Sequence, residues 1–366
     1  MSGKSGNTSS VEHLSVVRTT ETVTNDTQTA TNTVTLSSSS GIEFYLQCAV
    51  VVIGVVGTAA NALILYAMVA SKQHKKHALI FNQNALDLFS CLFLITTYAL
   101  KLCNIYLTGL GGYWLCIMLL SEHMIWCGIL ASKLNLVFVT IERYLKVVHA
   151  VWSKKKLRNW MVYAAMALAW LSGFVVDTAL VYATSDVIDG VCYAYVIWKS
   201  RVSQMAFGIW FFFFYHAVQL LTFIFCYWRI LIVIRRQAKT MASHSGPRSN
   251  ATQALSHQIQ FNVVKTMILV SACYAITDLP INVYYLILNV HGNLTIVESG
   301  YYALLFISFF YFCANPFIYA TKFDPVKEIL ARMISCKKTA VQPMESIEIT
   351  ASRVAGTGTV QTHRHA

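Results

Sequence analysis

Seven stretches of mostly apolar residues constrain this chain more than any other feature: roughly 44 to 71, 78 to 103, 113 to 141, 160 to 184, 203 to 234, 261 to 290 and 296 to 320. About 20 such residues cross the hydrocarbon core of a bilayer, and backbone survives there by bonding to itself, as a helix does. The sequence therefore predicts an all-α membrane protein built as a seven-transmembrane helix bundle. Composition agrees: 56% of the 366 residues are hydrophobic, 12% are charged, and there are 20 Phe and 19 Tyr, more than an ordinary soluble domain needs. Residues 1 to 42 are rich in Ser and Thr and contain no apolar run of signal-peptide type, so the first span is expected to direct insertion.

Lysine and arginine mark the cytoplasmic side of a membrane protein. Alternate segments carry Lys72, Lys75 and Lys76; then Arg143, Lys146, Lys154, Lys155, Lys156 and Arg158; then Arg229, Arg235, Arg236, Lys239, Arg248 and Lys265. The opposite segments hold Lys4, Arg18, Lys101, Lys199 and Arg201. The expected product is a multi-pass plasma-membrane protein with its N-terminus outside and its C-terminus inside. A net charge of +12 sits beside the span ends, which suits lipid headgroups and a cytosolic partner. No nucleic-acid module is visible.

Ten cysteines lie scattered without a C-x-x-C pair or a Cys/His cluster, which argues against zinc. Cys116, at the outer end of the third span, and Cys192, in the loop SDVIDGVCYAY, are placed to staple that loop over the bundle; two free thiols are the alternative. Asn7 in NTS and Asn25 in NDT are glycosylation acceptors in the expected extracellular tail, though a Ser/Thr-rich tail also makes such triplets by chance.

An apolar helix that ends on adjacent opposite charges needs a reason. Glu142, Arg143 and Tyr144 form ERY at the inner end of the third span, and NPFIY runs from Asn315 through Pro316 to Tyr319 in the seventh. Asn61 in GTAANALIL, Asn82 and Asp87 in NQNALD, Trp170 in LAWLSG, Tyr227 in FCYWRI and Pro280 in DLP mark the other spans. With these markers, residues from about 44 to 335 resemble the rhodopsin-like (class A) G-protein-coupled receptors. The resemblance implies a non-enzymatic receptor that transduces an extracellular ligand to heterotrimeric G proteins, with arrestin and a receptor kinase as further partners. It implies that Glu142 restrains Arg143 at rest, that Arg143 is released toward the G protein when the sixth span swings outward, and that Tyr227 and Tyr319 converge near it. It also implies a candidate allosteric sodium site at Asp87, Ser132 and Asn315, although Tyr311 and Phe312 replace the two small polar residues that usually precede NPxxY.

Departures from the family pattern cluster at mid-membrane. Lys133 stands where an aliphatic residue is usual, Gln219 where a proline is usual, and Asp278, two residues before Pro280, where a tryptophan is usual; Tyr274 keeps an aromatic four residues earlier. Two unpaired charges there would cost about 5 to 7 kcal/mol on an insertion scale. Lys133 and Asp278 are therefore expected to pair, with Gln219 and Tyr274 satisfying their remaining hydrogen-bonding groups. Such a pair either changes partner or protonation on activation or statically holds helices together. No acidic residue lies between Asp189 and Asp278, so Arg143 can at best meet Gln258 or Gln260 in the sixth span. The expected resting restraint is weak.

The position at which receptors for cationic amines usually carry an Asp is Ile125, which disfavours an amine ligand. Glu122 and His123 are candidates to read a basic group on a peptide or small molecule; Glu122 as a solvated rim residue is the alternative. Residues 296 to 321 contain no lysine to hold retinal.

Beyond the spans, Phe323, Val326, Leu330, Met333 and Ile334 recur near helical spacing, which predicts a short amphipathic eighth helix over 322 to 336 at the membrane interface. Cys336, before two lysines, is a palmitoylation candidate. The expected organisation is a disordered tail over 1 to 43, a receptor domain over 44 to 321, that helix, and a disordered tail over 337 to 366. The stretch from about 237 to 257 reads as a flexible loop. A non-signalling or decoy receptor, and a transporter using Asp87, Lys133 and Asp278 as a charge path, are the rival readings.

Overall fold

In the computed structural model the described residues are 29–243, 250–291, 298–322 and 324–334. Asn7, Asn25, Cys336 and the tail from 337 lie outside them, as do the side chains of Gln258 and Gln260. Among the described residues, seven helical segments are long and apolar enough to span a membrane, beginning at Glu43, Ala78, Gly109, Asn159, Arg201, Phe261 and Gly300.

The chain runs through α1 (Thr29–Ala70), α2 (Ala78–Leu102), α3 (Gly109–Leu115), a π-helical turn (Cys116–Leu120) and α4 (His123–Val148). The short α5 (Ala150–Lys156) leads to α6 (Asn159–Thr184), the strands β1 (Asp186–Ile188) and β2 (Val191–Tyr193), and α7 (Arg201–Phe212). A second π-helical turn (Phe213–Ala217) joins α7 to α8 (Val218–Ser243), and α9 (Asn250–His291), α10 (Glu298–Lys322) and α11 (Asp324–Ile334) follow among the described residues. Large apolar side chains such as Val52, Leu171, Val175, Leu221, Ile224 and Phe317 point outward, which suits lipid rather than water. The third span is the most buried of the seven; α2, α6, α8 and α9 pack against it, and α1 packs against α2 and α10.

Three local features differ from the sequence expectation. The third span is interrupted: Ser121 and Glu122 break the helix between the π-turn and α4, and Glu122 takes a left-handed conformation at φ 66°. A non-glycine residue held there costs on the order of 1 to 3 kcal/mol. Ser121 offsets part of this, its Oγ accepting from His123 N at 3.2 Å. The second difference is that α8 continues to Ser243 and α9 begins at Asn250, so most of the expected 237–257 loop is helix. Extending an existing helix through Ala, Gln, Lys and Met is cheap compared with nucleating one. Finally, α1 is already helical at Thr29, upstream of the expected first span, in a Ser/Thr-rich run whose composition carries no helix signal.

The loop after α6 is a two-stranded antiparallel hairpin in which Val187 faces Cys192. Its turn residues Asp189 and Gly190 both have positive φ, 49° and 74°, the Asp-Gly chemistry of a tight primed turn. A Cys116–Cys192 disulfide ties the hairpin to the third span. At the opposite, lysine-rich end, α11 presents Lys327, Glu328 and Arg332 outward and buries Val326, as an interfacial helix does.

Candidate functional site

Five polar clusters lie along the third span, and each draws on neighbouring helices. Nearest the hairpin, Glu122 is buried rather than solvated at a rim. Its Oε1 accepts from the Tyr98 hydroxyl at 2.8 Å and pairs with Lys101 Nζ at 2.5 Å. Beside it, His123 turns toward α6, where Nδ1 lies 2.6 Å from Asp177 Oδ2. Tyr195, at φ 62°, aims its hydroxyl down from the loop to donate to the same oxygen at 3.0 Å. Burial, then the Asp177 charge, push the Tyr195 hydroxyl well above its ordinary range, which keeps it a donor. Ile125 is fully buried. Of the ligand candidates, the structure thus engages Glu122 and His123 in internal bonds.

One helical turn below Ile129 lies the mid-membrane cluster. Lys133 Nζ is 2.9 Å from Asp278 Oδ2, with side chains 2% and 5% exposed, and the pair links α4 to α9. The Tyr274 hydroxyl lies 2.9 Å from Asp278 Oδ2 and 3.1 Å from Gln219 Oε1. Asn282 and His216, to which the sequence assigned no role, join in. Asn282 Nδ2 donates to Asp278 Oδ2 at 2.5 Å, whereas His216 Nδ1 stands 3.5 Å from that oxygen, with neither ring nitrogen hydrogen-bonded among the described residues. His216 sits in the second π-turn, just ahead of Gln219.

Deeper toward the lysine-rich end, Asp87 is fully buried. It accepts from Ser132 Oγ at 3.0 Å and from Asn315 Nδ2 at 2.8 Å, with Gln83 Nε2 at 3.4 Å. Gln83 Nε2 also meets Ser132 Oγ, and Tyr311 Oη at 3.3 Å. Asn315 Oδ1 is buried with no hydrogen-bond partner among the described residues, so this oxygen, the Asp87 carboxylate and the Ser132 hydroxyl are the groups that would hold the sodium ion the resemblance implies. The network continues sideways: Asn135 Nδ2 donates to Gln83 Oε1 at 2.7 Å, Asn82 to Asn135 at 2.9 Å, and Trp170 Nε1 to Asn82 at 3.1 Å.

Tyr227 forms the next contact. Its hydroxyl lies 3.0 Å from Thr140 Oγ1 and 2.9 Å from Ser271 Oγ, joining α4, α8 and α9; Tyr319 is buried. At the end of the span, Arg143 donates to Glu142 Oε2 at 3.0 Å, and Lys146 holds the other Glu142 oxygen at 2.6 Å. Tyr144 turns away toward His149. Arg143 finds a partner that the sequence did not indicate: His77 Nδ1, at 3.2 Å. Pro280 and Pro316 lie inside α9 and α10, where the missing N–H loosens the helix ladder.

His77 caps the start of α2, and its pKa is lowered from 6.5 to about 2, first by burial and then by the charges of Arg143, Lys146 and Lys76. It therefore stays neutral and accepts from Arg143. Because the unfolded chain takes up the proton near 6.5 and the folded one does not, this residue's contribution is complete above that pH and falls as pH drops from there toward 2. The purified protein should lose melting temperature between about pH 7.5 and about pH 5, and His77→Gln should flatten that slope. An unchanged slope would remove His77 from the account.

A family model described as the 7 transmembrane receptor (rhodopsin family) matches residues 60–319. The chain belongs to that family. Among curated proteins it is 25% identical over 242 residues to adenosine receptor A3 of Ovis aries, covering 64% of this chain and 70% of that one. It is 23% identical over 315 residues to neuropeptide Y receptor type 4 of Rattus norvegicus, covering 77% of each.

Proposed function

We propose that this protein is a plasma-membrane receptor, N-terminus outside, that transmits the binding of an extracellular peptide or small molecule to a heterotrimeric G protein. The observation that carries the reading is Arg143, half-neutralised by Glu142 and resting on His77 at the lysine-rich end of the third span. A charge held by a partner on its own helix and by one at the start of α2, with no acidic residue between Asp189 and Asp278 and so none at the inner end of the sixth span, is a two-state element that a partner can capture. Ile125, apolar and buried, disfavours a cationic amine. The two relatives are named for a nucleoside and for a peptide, so both ligand classes stand.

In this reading the Lys133–Asp278 pair takes the place of the aromatic relay between ligand pocket and G-protein face. It joins the third and sixth spans directly, and His216, charged only if protonated, is poised to compete with Lys133 for Asp278. The same departure favours a second reading, a seven-span receptor that does not signal. Basal activation of a panel of G proteins in cells separates the two. At matched surface expression, wild type should exceed empty cells, and Arg143→Ala should remove the excess. A wild-type signal equal to that of empty cells would count against the weak-restraint receptor.

A further inference from the structure

Among the described residues, three groups able to bind metal meet in one place: His123, Cys127 and Asp177, all buried, with ligand atoms within 4.8 Å of one another. The sequence argued against zinc because it shows no Cys/His cluster, yet folding supplies one. His123 and Cys127 are four residues apart on α4, so both project from one face of the helix. Asp177 comes from α6, four residues after Gly173. A Cβ at Gly173 would run into the backbone of Cys127 and Ala131; the glycine thus lets the two helices approach closely enough for Asp177 to reach across.

We propose that His123 Nδ1, Cys127 Sγ and Asp177 Oδ2 form a binding site for a borderline divalent transition metal, of which Zn²⁺ is the probe. One imidazole, one thiolate and one carboxylate suit that class, whereas the sulfur excludes calcium and magnesium. Cys127 Sγ stands 3.6 Å from His123 Nδ1, close to the separation of roughly 3.3 to 3.6 Å between neighbouring ligands of a tetrahedral zinc ion. His123 Nδ1 and Asp177 Oδ2, now 2.6 Å apart, must part by less than about 1 Å to share an ion.

The protons balance. The imidazole proton moves from Nδ1 to Nε2, where Thr178 Oγ1, 3.3 Å away, accepts it, and the thiol proton leaves to solvent. One proton is released per ion bound. Thiolate and carboxylate then cancel the two charges of the ion, so the loaded site is neutral, as membrane depth favours. Tyr195 keeps its bond to Asp177, which is the outer support that metal-ligating carboxylates use. Because Tyr195 belongs to the loop stapled by the disulfide, an ion here would stiffen that loop over the outer end of the bundle and, on the receptor reading proposed above, act as a modulator of ligand entry.

Co²⁺ titration of the purified, detergent-solubilised full chain tests this directly. A tetrahedral site with one thiolate gives visible d–d bands and a near-ultraviolet sulfur-to-cobalt band, and Zn²⁺ should displace both. Cys127→Ser should abolish the sulfur band, and His123→Ala should weaken Zn²⁺ affinity at least about tenfold. Absence of a sulfur-to-cobalt band in the wild type overturns the proposal, as does its persistence in Cys127→Ser or an unchanged Zn²⁺ affinity in His123→Ala, read in whichever of the two variants folds. Exposed Cys103 is replaced by Ser throughout, so that it adds no signal.

Discussion

Replacing Lys133 by methionine is expected to destabilise the receptor by about 3 to 5 kcal/mol, because Asp278 would be left charged and buried without its cation. Tyr274 and Asn282 donate hydrogen bonds to Asp278 but carry no charge, and His216, 3.5 Å away, replaces the lost cation only by taking up a proton. Surface expression should fall steeply, and the purified protein should melt well below wild type. The double variant Lys133→Met/Asp278→Leu should recover to within about 1 to 2 kcal/mol of wild type, since apolar groups of similar volume often replace a buried pair at little cost. Tyr274 keeps Gln219 as a partner in that variant, so no hydroxyl is orphaned. A single variant as stable as wild type would mean that the pair is not coupled; thermal melts of the four proteins measure that coupling.

Loss of the Cys116–Cys192 bridge should cost about 2 to 4 kcal/mol. It closes a sequence separation of 76 residues, for which the chain-entropy estimate is about 4 to 5 kcal/mol. The spans between the two cysteines already restrict the unfolded chain in a bilayer, which lowers the figure. The hairpin would still be held by Leu107 N to Gly190 O at 3.0 Å, by Ile197 N to Thr184 O at 2.9 Å and by Tyr195 on Asp177. Cys192→Ser should therefore lower the melting temperature and the surface level without abolishing the fold. A melting temperature indistinguishable from wild type would show that these contacts alone secure the loop.

The seven spans were legible because lipid leaves the backbone few options, and the charges that bracket them are discrete residues. Pairing of Lys133 with Asp278 was legible for the same reason: at mid-membrane an unmatched charge is too expensive. What the sequence hid is rotational phase. Nothing in the order of residues says that His216 faces Asp278, or that His77, in a connection, closes over Arg143; Asn282, four residues after Asp278 on one helix, did carry a readable signal. Asp177 had a readable signal, since an acidic residue inside the fourth span demands a partner, and Gly173 one turn earlier marked the close approach. The Asp189-Gly190 turn between short apolar runs likewise announced a hairpin. The break at Glu122 had no such sign: a left-handed glutamate is held by Lys101 and Tyr98, and both partners lie on another helix.

On the receptor reading proposed above, the buried pair between the third and sixth spans is the switch that Arg143 reads. Its most direct test is the basal G-protein signal of Lys133→Met/Asp278→Leu against wild type at matched surface expression. If the pair restrains the sixth span, the double variant should signal without ligand at about fivefold the wild-type level or more, and Arg143→Ala on that background should silence it. A double variant that signals like wild type would reduce the pair to a static strut.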